Sequence, residues 1–147
     1  MTYEYSGKYA LKHPSETKPN EQVVKAIREK SPGGELSCGM AEKIAKEINV
    51  SISEVGITAD LLEIKIKQCQ LGLFGWGNKP NHGKDIPVGG SVPKEIKNAL
   101  EEVAENGGVA CAAVWAIAGR LGTERKAVST ACETLGLKIR ACQLGTF

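Results

Sequence analysis

Four of the five cysteines form two pairs at one spacing, Cys38 with Cys69 and Cys111 with Cys142, each pair 31 residues apart. Thiolates are soft ligands for zinc and iron clusters and oxidise reversibly, so these four are the candidates for a metal or redox centre. The spacing also admits a plainer reading. Neither pair has a Cys-x-x-Cys hook, and a buried free cysteine packs as a small apolar side chain. Four reduced, metal-free thiols are therefore expected, with a thiol-based metal or redox sensing role as the alternative. Cys132, which aligns with Ala59 when the chain is shifted by 73 residues, reads as core.

Catalytic chemistry finds little else to use. His13 and His82 are the only histidines, and no Ser, Cys or carboxylate is spaced to pair with either. The stretch from Gly77 to Gly83-Lys84 suggests a phosphate loop. Its glycines are one residue too far apart, however, and Asp85 stands where Ser or Thr would hold magnesium. No enzymatic activity and no cofactor are expected.

The elements that must position any such residues come from a duplication. Shifting the chain by 73 residues pairs Ala26 with Ala99, Gly34 with Gly107, Cys38 with Cys111, Ile44-Ala45 with Ile117-Ala118, and Val55 with Val128. Further on, Cys69-Gln-Leu-Gly72 meets Cys142-Gln-Leu-Gly145 without a gap, which is how an internal repeat announces itself. Residues 21–74 and 94–147 are thus two copies of one module. They are flanked by an N-terminal arm, 1–20, carrying Tyr3, Tyr5 and Tyr9, and by a Gly- and Pro-rich linker over 75–93.

Within each copy the apolar spacing predicts three helices. The first carries Val23, Val24 and Ile27, or Ile96, Leu100 and Val103, and stops at Pro32-Gly-Gly34 or Asn106-Gly-Gly108. A short extended piece follows, Glu35-Leu-Ser37 or Gly108-Val-Ala110. The second helix aligns Ala41, Ile44, Ala45 and Ile48, or Val114, Ile117, Ala118 and Leu121. The third opens with Ser51-Ile-Ser-Glu54, a capping box, for which Thr123 takes the cap position in the second copy. Its buried stripe is Val55, Ala59 and Leu62, or Val128, Cys132 and Leu135. Ile64-Lys-Ile-Lys67 and Leu137-Lys-Ile-Arg140 alternate as half-buried strands do.

A small Ala, a turn residue four positions on and a β-branched residue ten positions on recur as Ala45, Asn49, Val55 and as Ala118, Gly122, Val128. This pattern resembles the helix-turn-helix of winged-helix DNA-binding domains. The resemblance implies two winged-helix-like modules in a mostly α fold with short β strands, and because modules of about 54 residues bury too little surface alone, the two are expected to pack with pseudo-twofold symmetry. Only one convincing strand follows each third helix, so the wing is expected as a stub that pairs with the short strand before the second helix. The Cys-Gln-Leu-Gly-x-Phe ending is also similar to an uncharacterised family of proteins from anaerobes, which brings no activity with it.

Winged-helix resemblance implies duplex DNA as the partner, read from the outward face of the third helix. In the second copy that face holds Arg125, Lys126, Ser129, Thr130 and Glu133, a set suited to phosphate and base-edge contacts. In the first it holds Ser53, Gly56, Ile57, Asp60 and Leu61, and Ile57 and Leu61 suit a protein interface instead. Lys65, Lys67, Lys138 and Arg140 on the strands could add backbone contacts. Trp115, off the apolar stripe of its helix, is expected to pack on the other module or the linker, with a role as a protein-interface residue as the alternative. Charge favours DNA less than the resemblance does. The chain carries a formal +2, with seven Lys/Arg against eight Asp/Glu in residues 21–74 and seven against six in residues 94–147, whereas nucleic-acid-binding domains are usually strongly basic. The expectation is a DNA-binding regulatory protein with contacts mainly from the second copy. The alternative is a protein-interaction or accessory module without nucleic-acid contact.

At 147 residues, 41% hydrophobic and 24% charged, the composition is that of a globular protein. No apolar run reaches membrane-span length and the first residues show no signal-peptide pattern. An odd number of cysteines fits reduced thiols. Cytoplasmic residence without membrane association is expected.

Overall fold

A computed structural model describes residues 8–77, 79–87 and 90–147. The expected roles of Tyr3 and Tyr5 in the arm lie outside these residues. The protein is mostly helical, with seven helices and four three-residue strands among the described residues, the strands paired in two small parallel sheets. Two compact units divide the chain: one of residues 1–69 and 143–147, the other of residues 70–142.

In the first unit, α1 (Glu21–Lys30) starts at Asn20, whose side chain accepts from the backbone N–H groups of Gln22 and Val23 at 3.0 and 3.2 Å. Two of the helix's unpaired donors are thereby satisfied. Val23 and Ile27, one turn apart, are buried. Beyond the Pro32–Gly34 turn, β1 (Glu35–Ser37) leads directly into α2 (Cys38–Ile48), capped by Ser37. This helix stops at Asn49, which adopts the left-handed conformation (φ 62°, ψ 48°) that asparagine tolerates. α3 (Ile52–Leu61) follows, with Ser51 Oγ accepting from Glu54 N at 3.0 Å. The Glu54 carboxylate does not complete the capping box. It accepts from Asn20 Nδ2 at 2.9 Å and so ties the starts of α1 and α3 together. β2 (Lys65–Lys67) then pairs in parallel with β1, placing buried Leu36 beside buried Ile66.

The second unit holds α5 (Lys94–Val103), β3 (Gly108–Ala110), α6 (Cys111–Leu121), α7 (Arg125–Leu135) and β4 (Lys138–Arg140), with β3 and β4 parallel. Each of these starts 73 residues after α1, β1, α2, α3 and β2 respectively. Gly122 (φ 65°) ends α6 and Gly136 (φ 72°) ends α7. The strand after the third helix pairs with the strand before the second in each unit, and each sheet contains only those two strands among the described residues.

Some local expectations differ. The N-cap of α7 is Glu124, not Thr123, and no side chain caps it; a residue-73 offset from Ser51 lands on Glu124, and glutamate is too long to bond back. Val103 closes α5 at 41% exposed instead of joining the apolar stripe. The stretch read as a linker is folded over residues 75–77 and 79–87. Gly75 N donates to His82 O at 2.9 Å, Trp76 N to Gly83 O at 3.0 Å, and Asp85 N to Gly72 O at 2.7 Å. A left-handed turn, α4 (Pro80–Gly83), reverses the chain between them, with Asn81 and His82 at φ 54° and 61°. Glycine is required at 83, where a Cβ would lie 2.6 Å from Trp76 N. Glycine and proline mark this segment because its backbone folds tightly on itself, and composition alone does not distinguish that from flexibility.

Candidate functional site

The outward face of α7 is engaged by side chains of its own unit. Arg125, the first residue of the helix, lays its guanidinium 3.7 Å from the centroid of the Trp115 ring on α6 and donates from Nη1 to Gln70 Oε1 at 2.9 Å. A cation over an indole face is held by the ring quadrupole, roughly 0.5–2 kcal/mol depending on desolvation. Lys126 Nζ bonds Asp85 Oδ2 and lies 5.1 Å from the Trp76 ring centroid. Asp85 also takes Lys79 Nζ at 2.5 Å. The Lys126 hydrogen bond, then that of Lys79, holds the Asp85 carboxyl below the usual carboxylate range. A third pair, Lys84 Nζ to Glu133 Oε1 at 2.7 Å, fastens the same loop two turns further along α7.

The other residues expected on this face are placed differently. Thr130 is half-buried and donates from Oγ1 to Lys126 O at 2.8 Å. Ser129 is 1% exposed, and its Oγ has no hydrogen-bond partner among the described residues; Trp115 Nε1 is in the same condition.

On α3 the corresponding face is also covered within its unit. Asp60, 5% exposed, receives Lys12 Nζ at 3.0 Å and pairs with His13 Nε2 at 2.8 Å, both from the segment after the Tyr9–Lys12 turn begins. Lys12 Nζ also donates to Gly145 O at 2.9 Å. Residues 143–147 cross the helix at Gly56, where an added Cβ would stand 2.3 Å from Leu144 O. Leu144 is buried; Ile57 and Leu61 are half-buried; Ser53 is exposed.

No family profile matches the chain, and no characterised protein or solved structure matches it.

The strand cations are more open than those of α7. Lys65, Lys138 and Arg140 are exposed and Lys67 is half-buried, with Arg140 Nη2 donating to Asn106 O at 3.3 Å. Cys38, Cys69 and Cys111 are buried and Cys142 is half-buried, and none of them is in a disulfide. Among the described residues, no group of three or more His, Cys, Asp or Glu side chains is arranged to hold a metal ion. Burial pushes the Cys132 thiol up to about 11. No helix among the described residues is long and apolar enough to cross a membrane.

Sequence reasoning missed Asp85, Gln70, Trp76 and the His13–Asp60–Lys12 cluster. One signal was available for Asp85: it is the sole carboxylate between Glu63 and Glu95, in a stretch carrying Lys79 and Lys84.

Proposed function

We propose that the chain is a tandem module of winged-helix type that works as an accessory, protein-interacting part of a regulatory assembly and does not read DNA with its third helices. The observation that carries this reading is the engagement of Arg125 by Trp115 and Gln70, and of Lys126 by Asp85. The two cations best suited to phosphate or base-edge contacts are already paired, and releasing them would leave Asp85 without its main partner. Buried Ser129 offers a duplex nothing, and on the equivalent face of α3 Asp60 is buried against Lys12 and His13. The near-neutral charge of each sequence copy points the same way. Apolar surface for a protein partner is offered by Leu11, 70% exposed on the turn leading to Lys12 and His13, with half-buried Ile57 and Leu61 on α3 and Trp115 on α6 as further interface candidates.

A second reading, duplex DNA binding through backbone contacts, is favoured by the exposure of Lys65, Lys138 and Arg140 on the strands. One experiment separates the two. Random and genomic duplexes are titrated at two salt concentrations with the parent protein, with Arg125→Ala/Lys126→Ala, and with Lys138→Ala/Arg140→Ala. The accessory reading expects no detectable binding at low salt. Salt-dependent binding lost only in the strand variant would transfer the conclusion to backbone contacts, and binding lost in the α7 variant would overturn it.

A further inference from the structure

The two parallel strand pairs bring the repeated cysteines to the same place in each unit. Cys38 is the first residue of α2 and directly follows Ser37, the register partner of Lys67; Cys69 lies two residues beyond Lys67. In the second unit Cys111 opens α6 directly after Ala110, the partner of Arg140, and Cys142 lies two residues beyond Arg140. Between strand and second cysteine each chain makes the same sharp bend, at Gln68 (φ 51°) and at Ala141 (φ 53°). Left-handed backbone is unusual for alanine, and the two units share it at the same register position. Strands lie about 4.8 Å apart and consecutive Cα atoms about 3.8 Å apart, so this register sets the two cysteines of each pair at the same end of adjacent strands, a placement compatible with the ~4.4–6.8 Å Cα separation of disulfides.

We propose that Cys111 with Cys142, and Cys38 with Cys69, are two redox-active dithiols, each able to close into a disulfide across the end of its own strand pair by exchange with a low-molecular-weight disulfide. The Cys142 thiolate attacks one sulfur of the small disulfide, forming a mixed disulfide and releasing one small thiolate. The Cys111 thiolate then attacks Cys142 Sγ and releases the second. Two protein thiols are oxidised, one small disulfide is reduced to two thiols, and the two protons pass to those thiols. Cys142 is half-buried while Cys38, Cys69 and Cys111 are buried, so the second unit's pair reacts first, starting from Cys142. Cys132, 1% exposed and without a counterpart cysteine, stays a thiol.

The test uses the folded full-length chain, incubated with oxidised glutathione under exclusion of oxygen, quenched in acid and analysed by intact mass and peptide mapping. A first closure joining Cys111 to Cys142 without retained glutathione is expected, then a slower one joining Cys38 to Cys69, with Cys132 still free. Cys142→Ser should abolish the fast phase, and Cys111→Ser should trap glutathione on Cys142. A stable glutathione adduct on Cys142 of the parent protein, links to Cys132, or links that form only in urea would each overturn the proposal.

Discussion

Replacing Gly56 by Ala sets two effects of opposite sign against each other at one position. Inside α3, alanine is favoured over glycine by about 1 kcal/mol of helix propensity. Its Cβ, however, would stand 2.3 Å from Leu144 O and 2.8 Å from Leu144 Cα, all backbone atoms that no side-chain rotation can clear. The tail must leave the helix. Leu144, 3% exposed, then loses roughly 1.5–3 kcal/mol of burial, and the exposed Lys12–Gly145 carbonyl bond loses about 0.5–1 kcal/mol. The net expectation is destabilisation of the first unit by roughly 1–3 kcal/mol. Gly39→Ala in α2, where nothing lies within 4 Å, should stabilise instead, by about 0.5 kcal/mol. Hydrogen exchange of the α3 amides over a urea series reads the first unit by itself. The decisive arm repeats Gly56→Ala in a chain lacking residues 143–147, where it should turn stabilising by up to about 1 kcal/mol. Equal or greater stability of Gly56→Ala in the full chain would refute the docking of the tail, as would an unchanged penalty in the shortened one.

Ser51→Ala should cost about 1 kcal/mol in chemical unfolding because Ser51 caps α3, whereas Thr123→Ala should change stability by less than about 0.5 kcal/mol and Glu124→Ser should add about 0.5–1 kcal/mol by installing the missing cap on α7. Asp85 is held below the usual carboxylate range in the folded protein, so its pairing contributes stability above that range and loses it as pH falls through the folded value; thermal unfolding across the acid range should show this dependence in the parent and lose it in Asp85→Asn. Cys132, with its thiol near 11, should resist alkylation at pH 8 in the folded chain and react only on unfolding, measured by site-resolved mass spectrometry.

The helices and strand pairs are legible in the sequence because they follow from local pattern. Val23 with Ile27, and Ala41 with Ile44 and Ala45, recur at helical spacing, and Leu36 and Ile66 sit at the centres of short alternating runs; all are buried. Asn49 and Gly122, residue types that tolerate a tight turn, adopt left-handed conformations at the ends of α2 and α6. What governs the α7 and α3 faces is long-range and leaves no local trace. Asp85 meets Lys126 across 41 residues, and Lys12 meets Gly145 across 133. Charge counting records these lysines as available cations, because a formal charge says nothing about which carboxylate or carbonyl folding sets beside it. Gly56 illustrates the same limit: in the sequence it weakens a helix, while in the fold it admits a backbone.

The two tryptophans of the chain, Trp76 and Trp115, lie against Lys126 and Arg125, the cations a DNA-reading α7 would need. Their two indole N–H resonances therefore report on that face without further labelling. Recording them in a nitrogen-15 correlation spectrum while duplex DNA is added at low salt tests the central claim directly. If the face is held by its own chain, both resonances stay in place at DNA excess. Progressive shift or broadening of either, reversed by salt, would contradict the account and return α7 to the role of a recognition helix.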